Sequence, residues 1–185
     1  MTELELIEGC QRNDAKCQKW LFEQFAGKMM TVCLRYAHDR KEAEDMLQEA
    51  FIRIFARIGQ YRFEGSLEGW VRRVVVNVAL NILQKRKIRF VATEAEMEAN
   101  ATVDAAAVSK LGTDDLLKLI NQLPDGYRLV FNLYVIEGYD HNEIARMLKI
   151  SPVTSRTQLL KARTLLKTQI ENLQKMPEKY VGKGI

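Results

Sequence analysis

An apolar residue recurs every three or four positions from residue 43 to residue 58, and this stripe restricts the fold more than any other feature of the sequence. The stripe consists of Ala43, Met46, Leu47, Ala50, Phe51, Ile54, Phe55 and Ile58. A period of 3.6 residues places all of them on one side of an α-helix. The sequence therefore predicts one long amphipathic helix in this part of the chain.

The segments that precede the stripe also have helical character. Three shorter helices are predicted there, with the sequences LELIEGCQR, AKCQKWLFEQFAGK and MMTVCLRYA. Asn13-Asp14 is a good N-cap for the second of them, and His38-Asp39-Arg40 predicts a turn before the long helix. The N-terminal half of the chain is therefore expected to be all α-helical.

Composition places the chain among folded proteins that do not insert into a membrane. Its 185 residues are 47% hydrophobic and 28% charged, which is ordinary for one domain or two small ones. No apolar run reaches the roughly 18 residues of a membrane span, and the N-terminus is acidic where a secretory signal is basic. We therefore expect a cytoplasmic protein.

The three cysteines do not predict a metal or redox site. Cys10, Cys17 and Cys33 lack metal-ligand spacing with either histidine and fall where a helix has small apolar residues. We predict that they are buried, reduced thiols. No other residue pattern predicts a metal or a cofactor.

Charge is unevenly distributed along the chain. Residues 61–90 carry seven basic and two acidic residues, and residues 146–185 carry nine basic and two acidic ones. Between them, residues 91–125 carry seven acidic and two basic residues. Two basic segments of this kind are typical of polyanion binding, although a solvated helix face has the same appearance. The small, acidic stretch from Val91 to Gly112 is interpreted as a linker.

Beyond this linker the sequence predicts a second small helical domain. Thr113-Asp114-Asp115 is predicted to cap a helix that continues through Leu123 and is ended by Pro124. Tyr127–Ile136 is predicted to form another helix before the chain is broken again at EGYD.

The stretch DHNEIARMLKISPVTSRTQLLKARTLLKTQI has the outline of a helix-turn-helix. Asp140 or Asn142 starts the first helix, Lys149-Ile150 forms the turn, and Ser151 and Pro152 open the second helix. The residues predicted to face inward are Ile144, Ala145, Leu148, Leu159, Ala162, Leu165 and Leu166. The residues predicted to face outward, toward the base edges and phosphates of a major groove, are Val153, Arg156, Thr157, Leu160 and Lys161. The alternative is a helical hairpin with a solvated basic face.

In the basic segment RFEGSLEGWVRRVVVNVALNILQKRK, a Gly-Ser loop is followed by a run of β-branched residues. As a helix, Leu67–Gln84 would bury Val71, Val74, Val75, Val78 and Ile82 and align Trp70, Arg73, Asn77, Asn81 and Gln84 in one stripe. Successive valines also allow a strand, for which the sequence offers no partner. An aromatic ring, an arginine and two amides beside a flexible loop suit single-stranded nucleic acid. Alternatively, the tryptophan belongs to the core and the amides are only solvated.

Together these motifs resemble bacterial sigma factors of the extracytoplasmic-function type, which keep only regions 2 and 4. DRKEAEDMLQEAFIRIFARIGQYRFEGSLEGWVRRVVVNVALNILQKRK is similar to region 2, and LPDGYRLVFNLYVIEGYDHNEIARMLKISPVTSRTQLLKARTLL is similar to region 4. The resemblance implies an all-α fold of two small helical domains, a region 2 bundle and a region 4 helix-turn-helix domain, joined by an acidic linker. The expected boundaries are 1–90, 91–112 for the linker, 113–176, and 177–185 for a tail.

The resemblance also implies what the chain binds. A subunit of this type binds core RNA polymerase, through the β′ clamp helices and β, and recognises the −35 and −10 promoter elements without catalysing a reaction. The residues implied for core binding are Asp45, Gln48, Glu49 and Ile52. Those implied for the −10 element are Phe63, Glu64, Gly65, Ser66, Trp70, Arg73, Asn77 and Asn81, and those for the −35 element are Val153, Arg156, Thr157, Leu160 and Lys161. The resemblance adds an anti-sigma factor as a candidate partner and a monomer as the free state.

Two positions depart from the family pattern. Lys149 stands where the turn usually has glycine, and a left-handed backbone there would cost about 1 kcal/mol. Val153 stands where glycine is common, so contacts at the start of the second helix are expected to differ.

Two other functions compete with this interpretation. A regulator that binds an operator without polymerase would use the same helix-turn-helix, but it requires a self-association surface and no dimerisation helix is evident. An enzyme is disfavoured because the sequence has neither a glycine-rich phosphate loop nor a nucleophile paired with a base.

Overall fold

Every regular element in the residues that the computed structural model describes, 2–85 and 112–175, is helical. The chain divides into two units, Met1–Lys87 and Ile88–Ile185. The first contains α1 (Glu3–Gln11), α2 (Ala15–Tyr36), α3 (Arg40–Arg57), a 3₁₀ turn (Ile58–Gln60) and α4 (Leu67–Lys85). The second contains α5 (Thr113–Asn121), α6 (Asp125–Phe131), a π-helical turn (Asn132–Ile136), α7 (His141–Leu148) and α8 (Pro152–Lys175). The predicted all-α fold is confirmed, whereas the predicted linker, apart from Gly112, lies outside the described residues.

Side-chain caps fix where the first three helices begin. Thr2 caps α1, Asp14 caps α2 by accepting a hydrogen bond from the Lys16 N–H, and Asp39 caps α3 by accepting one from the Glu42 N–H. Each cap satisfies an N–H group that has no partner inside its helix. The predicted N-cap at Asn13-Asp14 and the predicted turn before the long helix are both confirmed.

α2 is one helix of 22 residues, whereas the sequence predicted two shorter helices that meet just after Gly27. That prediction was wrong because the residues on both sides of the glycine belong to one core. Leu21 before it and Met29 and Cys33 after it are all buried. A glycine inside a helix costs about 1 kcal/mol relative to alanine, which is less than the roughly 1.5–3 kcal/mol gained by burying one large apolar side chain.

α4 packs against both α2 and α3, so its buried surface is wider than that of a helix covered on one side. Val71, Val75 and Val78 are buried as predicted, but Val74 and Ile82 are only half-buried. The buried surface also includes residues that the one-sided prediction missed, namely Val76, Ala79, Leu80 and Leu83. The strand alternative was wrong, because packing on two neighbouring helices overrides the β propensity of the valines.

The cysteines largely follow the prediction. Cys10 and Cys33 are buried, Cys17 is half-buried, and none of the three forms a disulfide. Burial raises the pKa of Cys10 to about 11 and that of Cys33 to about 12. At neutral pH both thiols are therefore protonated and act as small apolar side chains.

α8 is the central helix of the second unit and contacts α5, α6 and α7. Its core joins Leu119, Ile120 and Leu123 to Ala162, Leu166 and Ile170. Leu159, Ala162 and Leu166 face inward as predicted, but Leu165 is 38% exposed. The prediction for Leu165 was wrong because successive residues of a helix point about 100° apart and Leu166 occupies the core side.

Two helix starts in this unit differ from the prediction. Gly112, not the Thr113-Asp114-Asp115 segment, is the N-cap of α5, and glycine has no side chain with which to cap the helix. Pro124, predicted only to end a helix, is the N-cap of α6, where its carbonyl accepts the Arg128 N–H at 2.9 Å. The predicted helix from Tyr127 to Ile136 consists of the end of α6 followed by the π-helical turn.

The predicted helix-turn-helix is confirmed in its local structure. Asp140 and Glu143 form a capping box at the start of α7, and Ser151 Oγ accepts the Thr154 N–H at 2.9 Å at the start of α8. Between the two helices, Lys149 adopts a left-handed conformation with φ 56° and ψ 46°. The strain expected from replacing the usual glycine at this turn is therefore present.

Replacing Lys149 with glycine should stabilise the second unit. A left-handed conformation costs an L-residue about 1–2 kcal/mol, and part of the gain is offset because glycine has more freedom in the unfolded chain. We expect the free energy of unfolding to rise by about 0.5–1 kcal/mol, measured by urea unfolding with circular dichroism. Lys149→Ala removes the charge but keeps the strain, so equal stabilisation by both variants would contradict the backbone explanation.

Candidate nucleic-acid interface

Four residues on the outer side of α3 form one strip, which we call the α3 face: Asp45, Gln48, Glu49 and Ile52. Asp45 and Gln48 are exposed, Ile52 is 64% exposed, and Glu49 is half-buried. Arg53 Nη2 lies 2.8 Å from Glu49 Oε1, so this carboxylate is partly neutralised within its own helix. An exposed branched apolar side chain beside carboxylates suits a protein surface that is both apolar and basic.

The loop of residues 62–66 joins the 3₁₀ turn to α4, and all of its residues are exposed. It contains the four loop residues that the resemblance implies for DNA binding, which are Phe63, Glu64, Gly65 and Ser66. Phe63 has φ 58° and Gly65 has φ 88°. The positive φ is ordinary for glycine but costs phenylalanine about 1–2 kcal/mol. Because the Phe63 side chain is 49% exposed, the loop presents an aromatic surface to solvent.

Ser66 has a structural role at the start of α4. Its hydroxyl accepts the Gly69 N–H at 3.1 Å, and its carbonyl accepts the Trp70 N–H at 3.1 Å. In the same turn, Glu68 accepts a hydrogen bond of 2.6 Å from Lys28 of α2. The junction between the loop and α4 is therefore held by a helix cap and by an ion pair to a neighbouring helix.

The exposed side of α4 carries a row of residues that we call the α4 stripe: Trp70, Arg73, Asn77 and Asn81. The arginine and both asparagines are exposed, as predicted, and lie four residues apart on successive turns. Trp70 is half-buried, and its ring centroid lies 6.0 Å from that of Tyr61. Part of the tryptophan ring therefore packs against the core and part of it faces solvent. The side-chain amides of both asparagines are accessible to a ligand.

Tyr61 contacts the loop of residues 62–66 and the start of α4, and the sequence did not indicate a role for it there. It is 5% exposed, and its hydroxyl lies 2.8 Å from the Gly65 carbonyl oxygen and 3.1 Å from Glu3 Oε1. Its ring centroid lies 5.0 Å from that of Phe63. Burial and the adjacent Glu3 carboxylate raise the pKa of Tyr61, so its hydroxyl remains a hydrogen-bond donor. No local pattern could reveal this residue, because Glu3 is 58 positions away along the chain.

In the second unit, the outward side of α8 is most accessible at its start. Val153 is 65% exposed and Arg156 is exposed, whereas Thr157, Leu160 and Lys161 are half-buried. The Thr157 hydroxyl donates to the Val153 carbonyl at 3.1 Å. The first two turns of α8 therefore offer an apolar contact and a guanidinium side by side, which is where a recognition helix approaches base edges.

A polar cluster joins α7 to the inner side of α8. His141 Nδ1 lies 2.9 Å from Oγ of Ser155, which is fully buried. The His141 ring stacks on Tyr134 at 4.5 Å, and the Arg163 guanidinium lies 5.9 Å from the centre of the Tyr134 ring. No motif in the sequence predicts this cluster, and its one local signal is a serine, Ser155, at a core-facing position of α8.

The described residues contain no group of three or more histidine, cysteine or acidic side chains that could hold a metal ion. Within the same residues, no helix combines the length and the apolar character needed to cross a membrane.

Comparison with known proteins assigns a family to both units. The model of Sigma-70 region 2 matches residues 21–88, and that of Sigma-70 region 4 matches residues 113–166. The RNA polymerase sigma-H factor of Pseudomonas aeruginosa is 27% identical over 181 residues, which cover 91% of this chain and 94% of that protein. The ECF RNA polymerase sigma-E factor of Haemophilus influenzae is 26% identical over 185 residues, which cover 94% of this chain and 97% of that protein.

A solved structure has a similar fold. The sigma factor RpoE from Bartonella quintana, determined in complex with the anti-sigma factor NepR, matches with a TM-score of 0.52 and 17% identity over 83% of this chain and 96% of that one. The chain belongs to the sigma-70 family, and within that family it is an extracytoplasmic-function RNA polymerase sigma factor. As an alternative sigma factor it works with RNA polymerase, so the operator-binding regulator is set aside.

His141 should make the second unit less stable as the pH falls. Burial and the nearby Arg156 and Arg163 guanidiniums lower the pKa of His141 from its ordinary value of 6.5. At pH values just below 6.5 the histidine therefore binds more protons in the unfolded chain than in the folded one. The contribution of neutral His141 to the free energy of unfolding is complete above about pH 6.5 and is lost as the pH falls below that value.

Urea unfolding of the second-unit helices at pH 7.5 and pH 5.5 measures this effect. The loss of stability between the two pH values should shrink in His141→Asn. The neighbouring Asp140 cannot account for it, because its pKa is lowered from 3.8 and it titrates below this range. An unchanged pH dependence in the variant would contradict the assignment to His141.

Proposed function

We propose that this sigma factor uses three surfaces in transcription initiation. The α3 face binds core RNA polymerase, the loop of residues 62–66 and the α4 stripe bind the −10 element, and the outward side of α8 binds the −35 element. The observation that carries the proposal is the α4 stripe, in which an arginine and two amides are exposed beside an aromatic loop while most other residues of α4 are buried or half-buried. We propose no chemical reaction for the chain itself.

The composition of the α3 face supports core binding. Ile52 is a large apolar side chain with 64% of its surface in solvent, and it lies one turn from Gln48 and Glu49. Docking this face would bury the isoleucine and set the carboxylates against a basic partner surface. Carboxylates around an apolar contact add specificity and speed association, while the apolar contact contributes most to affinity.

The −10 element is proposed to bind as a single strand. Phe63 and Trp70 offer aromatic surfaces for stacking, and Asn77 and Asn81 offer amides to exposed base edges. Flipping a base costs a few kcal/mol, and stacking it on an aromatic ring returns about 1–3 kcal/mol. The two terms nearly cancel, so opening requires the additional contacts of the polymerase, and the free protein should bind promoter DNA weakly.

The −35 element is proposed to bind as a duplex in the major groove. Arg156 suits the two acceptors of a guanine edge, and Val153 suits a thymine methyl group. Leu160 and Lys161 are half-buried and lie further along α8. We propose that they contact the edge of the site and the phosphates. Val153 replaces the glycine expected from the family pattern, which points to a promoter preference different from that of relatives with glycine.

An anti-sigma factor is proposed as the inhibitor, by analogy with the Bartonella quintana sigma factor, which was determined in complex with one. The exposed Ile52 is the strongest apolar feature of the α3 face, so an inhibitor that covers it would block core binding directly. The anti-sigma factor would then compete with core polymerase for the α3 face, and it would not compete with promoter DNA.

Reversing one charge on the α3 face should weaken the complex with core polymerase. The purified chain is expected to co-elute with bacterial core polymerase in gel filtration and to direct new transcripts from fragmented genomic DNA. Asp45→Lys should weaken this complex at least about tenfold, because it places a like charge against a basic surface. Glu8→Lys makes the same charge change on α1, where Glu8 is exposed, and should leave the affinity unchanged. Elution of the wild-type chain apart from core polymerase would overturn the proposal.

Substitutions at the two DNA-binding surfaces should have separable effects in the reconstituted holoenzyme. Arg156→Ala should weaken closed-complex binding by about 1–3 kcal/mol and relax preference within the −35 element. Asn77→Ala should leave closed-complex binding intact and slow opening, measured by permanganate reactivity of the −10 region.

Lys167→Ala is the matched control for the first variant. It removes one positive charge from an exposed position of the same helix, so any loss of binding should be small and independent of the −35 sequence. Normal opening by Asn77→Ala would contradict the assignment of the α4 stripe to the −10 element.

A further inference from the structure

The loop of residues 62–66 holds a backbone conformation that its sequence disfavours. Phe63 has φ 58°, a left-handed value that bulky residues rarely adopt. A conformation of this kind persists only where the surrounding contacts enforce it, and such residues are concentrated at functional sites. Since Phe63 is half-exposed, the enforcing contacts have to come from the buried side of the loop.

Tyr61 supplies those contacts. Its ring lies 5.0 Å from Phe63 and 6.0 Å from Trp70, between the loop and the first turn of α4. Its hydroxyl lies 2.8 Å from the carbonyl oxygen of Gly65, four residues further along the chain, and so closes the loop on itself. The Tyr61 N–H also donates to the Ile58 carbonyl at 3.2 Å, which fixes the tyrosine to the end of the 3₁₀ turn.

Glu3 ties this arrangement to α1. Its Oε1 atom lies 3.1 Å from the Tyr61 hydroxyl, which has a single proton to share between the carboxylate and the Gly65 carbonyl. Glu3 lies in the first turn of α1, next to the capping box at Thr2, so its backbone is held in place. The carboxylate therefore helps to orient the hydroxyl.

We propose that Tyr61 is a positioning residue, which holds the loop of residues 62–66 in the shape that receives an unstacked base of the −10 element. This inference rests on the proposed role of the loop in promoter opening. Tyr61 is itself buried and does not contact DNA. It acts through the Gly65 carbonyl and the ring of Phe63, which it keeps in place before DNA arrives, so that the loop does not have to be ordered on binding.

Tyr61→Phe tests the inference because it removes the hydroxyl and keeps the ring. The probe is a set of fork-junction DNAs, each with an abasic site at one position of the single-stranded −10 region, bound to reconstituted holoenzyme. With the wild-type chain, one position should show a large loss of affinity when its base is removed. Holoenzyme with Tyr61→Phe should bind the intact fork about 3- to 10-fold more weakly than wild type, because one hydrogen bond is lost. It should bind the fork that lacks this base with the same affinity as wild type.

Two further variants keep the result interpretable. Glu3→Gln retains an acceptor without the charge and should give a smaller loss in the same direction. Tyr127→Phe is the matched control, because it removes a tyrosine hydroxyl from the second unit, and it should have no effect on fork binding. Thermal unfolding of each variant shows whether the fold is retained.

The outcomes separate the inference from the proposed function. Equal weakening of the intact and abasic forks by Tyr61→Phe would overturn the positioning role, because a general structural defect does not select one base. Wild-type binding by Tyr61→Phe together with defective opening by Asn77→Ala would overturn the inference and leave the proposed function standing. Wild-type behaviour of both variants would overturn the assignment of the loop and the α4 stripe to the −10 element.

Discussion

The first unit depends on the burial of α4 between α2 and α3. Because two neighbouring helices cover it, most of its circumference is apolar and only a narrow strip remains for polar residues. This constraint explains how successive valines form a helix, and it also explains why Arg73, Asn77 and Asn81 stand in a single row. A surface that consists of one row on a rigid helix can contact a strand of nucleic acid base by base.

In the second unit, short polar contacts orient the two helices of the helix-turn-helix. A left-handed residue at Lys149 sets the turn, and the Ser151 hydroxyl caps the start of α8. Behind the outward side, His141 bonds to the buried Ser155 and stacks on Tyr134. These contacts fix the position of α8 against α7, so the exposed side chains of its first turns are presented at a defined angle.

Much of the fold followed from local rules that the sequence displays directly. The stripe of residues 43–58, the cap at Asn13-Asp14, the turn at His38-Asp39-Arg40 and the start at Asp140 or Asn142 predicted α2, α3 and α7 at or near their observed starts. The α4 stripe and the helix-turn-helix were also visible, because a 3.6-residue period and a Ser-Pro start are properties of short segments. The errors arose where a neighbour outside the segment decides the outcome, as with the continuous helix through Gly27 and the exposure of Leu165.

The sequence by itself determined the helical class, the order of the two units and the row of Arg73, Asn77 and Asn81 on α4, since each depends on residues close together in the chain. Only the tertiary structure decided that α4 is covered on two sides and that Tyr61 joins Glu3 of α1 to the carbonyl of Gly65. It likewise brought His141 against Ser155. Contacts between distant segments depend on how the helices pack, and helix packing leaves no period in the sequence from which such pairs could be predicted.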